Sequence, residues 1–101
     1  MTSAEFAPRA RRELLAAVRW NNRDNPAAAR AFRDAVALAA DRIGAHPSIG
    51  VLRSDLADEP YRFVVLTGFP YLIVSNAARR PPLILRILHG SRDLPELFRD
   101  L

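Results

Sequence analysis

Cysteine is absent from this 101-residue chain, which excludes disulfides and thiolate metal sites. Lysine is absent too: all fifteen basic residues are arginine, set against eleven acidic ones, for a net charge of +4. Only four glycines occur, scattered at Gly44, Gly50, Gly68 and Gly90, so there is no glycine-rich phosphate loop. The two histidines, His46 and His89, lie far apart with no His-Glu-x-x-His spacing, and no metal or other cofactor is expected. No apolar run approaches the roughly 20 residues of a membrane span. The first residues, Met1 to Glu13, hold no apolar stretch of signal-peptide length. A cytoplasmic protein without a membrane partner is the simplest expectation.

The all-arginine composition narrows the choice of partners. Arginine does not titrate away, and it grips carboxylate or phosphate through two parallel hydrogen bonds. A nucleic acid and an acidic protein both suit such a surface. The plainer alternative is that codon bias in a GC-rich genome replaced lysine with arginine, but the excess positive charge still needs an explanation.

Half of the residues are apolar, and they fall in ordered patterns, so one domain over residues 1–101 is expected. Thr2 to Ala7 reads as an edge strand before Pro8, a good first-turn helix residue. From Arg9, the residues Ala10, Leu14, Ala17 and Val18 repeat at helical spacing, with Arg11, Arg12, Glu13 and Arg19 pointing elsewhere. The stretch from Asn21 to Pro26 is expected to break this helix. Asn25 then caps a second one, with Pro26 at its first position. Its apolar stripe is Phe32, Val36, Ala39, Ala40 and Ile43, and Gly44 is the expected stop. The short connection predicts an antiparallel helical hairpin, with Trp20 and Phe32 packed inside it.

Beyond Gly50 the period changes to that of strands. Val51 to Leu56 predicts a short strand; Tyr61 to Thr67 and Tyr71 to Asn76 predict two more, joined by Gly68, Phe69 and Pro70. Pro82 to His89 is apolar on both parities, which predicts a central strand buried on both faces. A short closing helix is expected from Asp93 to Leu101. The fold class is therefore α+β: a helical hairpin packed on one face of a small antiparallel sheet. The opposite face is expected to be bare, with Arg62 on it, and is the natural place for a macromolecular partner.

The residues also resemble a known family. Ala10, Glu13-Leu14, Trp20, Asn25-Pro26, Ala28-Ala29, Phe32, Pro47, Gly50, Arg53, Tyr71-Leu72-Ile73-Val74 and the ending from Arg86 to Asp93 are similar, in order and spacing, to the ParE/RelE toxins of bacterial type II toxin–antitoxin modules. The resemblance runs from about Pro8 to Phe98. It implies a toxin held in check by a cognate acidic antitoxin. RelE-like members cleave messenger RNA on the ribosome without a metal; ParE-like members poison DNA gyrase. The ending Arg86-Ile87-Leu88-His89-Gly90-Ser91-Arg92-Asp93 resembles the ParE branch more closely. Tyr71 stands where many RNA-cleaving relatives carry an arginine, and Ser75 stands where both branches often carry tyrosine.

Under the ParE reading there are no catalytic residues, and Arg53, Arg62, Tyr71, Arg86, His89 and Arg92 are the candidates for contact with antitoxin or target. Under the RelE reading, with ribosome and messenger RNA as partners, His89 would move the proton while Arg86 and Arg62 stabilised charge on the phosphate. Arg86 and His89 differ in strand parity, so a bulge or the strand end would have to bring them together. The plainer alternatives are that His89 hydrogen-bonds backbone at a turn, that Arg62 is simply solvated, and that Arg92 and Asp93 form a local ion pair or cap.

Overall fold

A computed structural model describes residues 3–53, 55, 59–91 and 93. The element order is β1 (Glu5–Phe6), α1 (Pro8–Asp24), α2 (Pro26–Ala45), β2 (Tyr61–Val65), β3 (Tyr71–Asn76) and β4 (Leu83–His89). The sheet order is β1-β4-β3-β2. β2, β3 and β4 form the expected antiparallel meander, while β1 joins β4 in parallel and makes the sheet mixed. The two helices lie on one face, which is the expected α+β arrangement.

The helical hairpin follows from two residues. Pro26 forces the preceding residue out of the helical region, so Asn25 is extended (φ −158°, ψ 101°). Its side chain accepts hydrogen bonds from the N–H groups of Ala27 (3.0 Å) and Ala28 (3.2 Å), capping α2 as expected. The expected break at Asn21 does not occur. Asn21 donates its amide to the Ala17 carbonyl one turn back, at 2.7 Å, and α1 continues to Asp24. α2 likewise runs through Gly44 to Ala45, because nothing forces Gly44 into the left-handed region, and His46 closes the helix.

The core between helices and sheet joins Phe32, Val36, Ala40 and Ile43 of α2 to Ala10 and Ala17 of α1 and to Tyr71, Ile73, Ile84 and Ile87 of the sheet. A second cluster of Phe63, Val74 and Leu88, flanked by Tyr61 and Leu85, occupies the opposite face. That face is therefore not bare: Phe63 is 2 % exposed and Leu88 is fully buried. The reason is apolar content, since burying such side chains is worth about 1.5–3 kcal/mol each. Arg62 is placed differently from expectation too. It shares parity with Val64, which packs against the helix-side core, so the two parities of β2 exchange roles.

β4 is central and apolar on both faces, as expected, for a specific reason. Arg86 pairs with Val74, and Ile84 pairs with Ser75, so Leu85 is an extra residue in β4. This bulge resets the alternation. Ile84 and Ile87, three residues apart, both enter the helix-side core, and Leu85 and Leu88 both enter the other.

At the far edge, Val51 makes only an isolated bridge to Phe63, with backbone bonds of 2.8 and 2.9 Å, in place of the expected strand. Gly50 precedes it at φ +94°, a conformation that L side chains rarely adopt. Leu56 and the expected helix after Asp93 lie outside the described residues. No helix among the described residues is long and apolar enough to cross a membrane.

Candidate functional site

α1 crosses the C-terminal half of β4, and the crossing leaves a groove of about 340 Å³. Arg9, Glu13, Ala16, Ala17 and Trp20 line it from α1, Tyr71 from β3, Arg86 and Ile87 from β4, and Asp93 from the turn beyond. Small residues at Ala10, Ala16 and Ala17 let the helix approach the sheet closely enough to make this contact.

Glu13 is the pivot. Its carboxylate accepts from Arg86 Nε at 3.0 and 3.2 Å, and Arg86 Nη2 lies 2.9 Å from Oε2. The same carboxylate accepts the Ile87 N–H at 2.9 Å. β1 pairs with β4 only at Leu83 and Ile84, so beyond them that edge of β4 has no strand beside it among the described residues, and Glu13 supplies the Ile87 N–H with an acceptor. Both side chains are largely enclosed, at 12 % exposure for Arg86 and 21 % for Glu13. The expectation that Glu13 points away from the helix's packed side is corrected here. The signal was present in the sequence, since Glu13 falls three residues after Ala10 and four before Ala17, both buried.

Beside the groove stands an aromatic column. Tyr71, 5 % exposed, meets Phe32 with ring centroids 4.8 Å apart, and Phe32 meets Phe69 edge-on at 5.4 Å. The His89 ring meets Tyr71 edge-on at 5.3 Å. The His89 N–H donates to Asp93 Oδ2 at 2.7 Å, the Asp93 N–H returns a bond to the His89 carbonyl at 2.9 Å, and Ser91 Oγ lies 3.2 Å from His89 Nδ1. His89 thus organises the turn that ends β4. The bulge lies before Arg86, so alternation from Arg86 to His89 is regular and the two leave β4 on opposite faces; their side chains go to different partners, Arg86 to Glu13 of α1 and His89 to Tyr71.

The other candidates are dispersed. Arg53 is exposed and forms a two-pronged pair with Asp55, Nε to Oδ1 at 2.9 Å and Nη2 to Oδ2 at 2.8 Å. The Asp55 carboxyl is held below its usual range, first by that hydrogen bond; the same bond raises the Arg53 guanidinium. Arg62 sits in β2 opposite Ser75, two strands from β4 and off the groove. Arg92 lies outside the described residues. Among the described residues no group of three or more histidines, aspartates and glutamates could hold a metal ion.

Trp20 departs from expectation. It is 55 % exposed at the groove's rim, and the Arg23 guanidinium stacks over its ring at 5.2 Å, so it is not packed inside the hairpin. Ser75 is fully buried, and its hydroxyl finds no partner among the described residues.

The family model described as ParE toxin of type II toxin-antitoxin system, parDE, matches residues 4–94 of the chain. No curated protein matches it.

Proposed function

This chain belongs to the ParE toxin family of type II toxin–antitoxin systems, and from that premise we propose that it arrests growth by binding DNA gyrase and holding the enzyme on cleaved DNA. The observation that carries this reading is the state of Arg86. Metal-free RNA cleavage needs a cation at the scissile phosphate. Arg86, three residues before His89 on β4, is gripped by Glu13 through two nitrogens, and its side chain is 12 % exposed. Tyr71, at the position where an arginine would serve a ribonuclease, is in the core. Such a site binds rather than reacts.

The family implies an antitoxin partner. We propose that this antitoxin is acidic and folds on binding, placing carboxylates against arginines such as Arg53 and Arg62. The toxin would act in the cytoplasm, where gyrase meets the chromosome.

The deciding experiment combines purified gyrase, supercoiled plasmid, ATP and the toxin, followed by denaturation and protease. Accumulated linear DNA is the expected product. Absence of linear DNA, together with codon-linked cuts in cellular messenger RNA seen by primer extension after induction, overturns the reading in favour of a ribosome-dependent nuclease. Added antitoxin is expected to suppress the linear product; charge reversal at Arg53 or Arg62 is expected to weaken that suppression, and unchanged suppression removes those two arginines from the interface.

A further inference from the structure

The positive excess of this chain is concentrated on one helix. α1 holds five arginines and two acids. Arg9, Arg12, Ala16, Arg19 and Arg23 follow one another at helical spacings of three and four, with Trp20 four residues beyond Ala16, so they form one stripe, and all six are exposed. From Arg9 to Arg23 the stripe extends about 21 Å at 1.5 Å per residue. Glu13, beside the stripe, does not neutralise it, because its carboxylate is turned onto Arg86 and the Ile87 N–H. No carboxylate among the described residues pairs with Arg12 or Arg19.

We propose that this face of α1 binds the phosphate backbone of duplex DNA. Over about 21 Å, a duplex presents roughly a dozen phosphate charges, one per ~1.7 Å of axis. A rigid row of guanidinium groups can grip several of them two-pronged. An acidic peptide that folds on binding needs apolar anchors. The stripe offers only Ala16 and an indole already stacked under the Arg23 guanidinium at 5.2 Å. That stacking also occupies one face of the indole, on which a single strand would lay a base. The contact needs no gyrase, so it stands or falls separately from the poisoning reading.

The test is fluorescence anisotropy of a labelled mixed-sequence duplex titrated with the full chain at several salt concentrations. Affinity is expected to fall linearly with salt on logarithmic axes. The Arg12→Ala/Arg19→Ala double variant should reduce that slope by about two and weaken binding about tenfold to a hundredfold at fixed salt. Alanine is the best helix former, so the variant keeps α1, which circular dichroism confirms. Arg80→Ala, off the stripe in the turn between β3 and β4, should leave affinity within about twofold. Trp20 is the only tryptophan, and its emission should change on binding.

No binding at low salt, an unaltered slope in the double variant, or binding with unchanged Trp20 emission each overturns the assignment. A polyglutamate peptide that competes as well as the duplex, and is lost equally in the double variant, transfers the stripe to an acidic protein partner.

Discussion

Glu13 and Arg86 stitch α1 to the bulged centre of β4: one carboxylate takes two guanidinium nitrogens and the Ile87 N–H within 3.2 Å. Removing either partner has unequal consequences. Glu13→Ala strips the acceptor from an enclosed arginine and from the N–H at the bulge. It should cost about 2–3 kcal/mol, below the figure for a fully buried pair because both groups retain some exposure. Arg86→Met keeps the stem's packing and leaves Glu13 its bond to Ile87, so a loss of about 1 kcal/mol is expected. Urea unfolding midpoints at constant slope measure both, and a midpoint unmoved by Glu13→Ala refutes the role assigned to it.

Gly50 and Gly68 separate backbone strain from steric conflict. Both have positive φ, +94° and +85°. A Cβ on Gly50 would lie 2.8 Å from the Phe63 carbonyl oxygen and from Val64 Cγ2, whereas one on Gly68 meets nothing within 4 Å. Gly68→Ala should cost about 1–2 kcal/mol from conformation alone. Gly50→Ala should cost about 1–2 kcal/mol more, because it also pushes Val51 off its bridge to Phe63. Equal losses from the two variants would show that the close approach at Gly50 does not hold in solution.

A hydroxyl buried without a partner costs more than the bond it fails to make. Ser75→Ala should therefore leave stability unchanged or raise it by up to about 1 kcal/mol, a gain of about 4–8 °C in Tm for a domain of this size. A fall in Tm would reveal a hydrogen bond to the Ser75 hydroxyl.

The Asp55 carboxyl is lowered by its bond to Arg53. A lowered folded-state value means that the contribution is present above the ordinary value of 3.8 and fades as pH falls through the lowered one. Carbon-detected NMR titration should find Asp55 below 3.8, and Arg53→Ala should return it towards that value. Both groups are open to solvent, so the melting temperature should not change measurably.

His89→Ala should remain toxic, because His89 serves the turn through its backbone and packs on Tyr71. Growth arrest after induction is the readout. Loss of arrest with an intact circular dichroism spectrum would restore a chemical role to the imidazole.

Much of this architecture could be read from residue order. The stripe from Phe32 to Ile43 was legible because each member recurs at helical spacing, and the Asn25-Pro26 cap because its chemistry is local. β3 matched its expected bounds, since its alternation is flanked by turn residues. The misplacements share a cause: side-chain identity does not fix which of two apolar parities faces the helices. Phe63 and Val64 are both suited to a core, so β2 was assigned the wrong way round. The bulge at Leu85 has no glycine or proline to betray it, yet it decides that Leu85 and Leu88 share one face and Ile84 and Ile87 the other. Glu13 departs from expectation because a carboxylate on a packed stripe is ordinarily excluded, unless a cation and an unpaired N–H wait opposite.

Glu5 pairs with Leu83 and Phe6 with Ile84, so among the described residues the first strand is completed by the last. Such a seam cannot close while β4 remains inside the ribosome. Until β4 has emerged, the nascent chain carries a helical hairpin beside an unfinished sheet, and β1 has no neighbour to hold it.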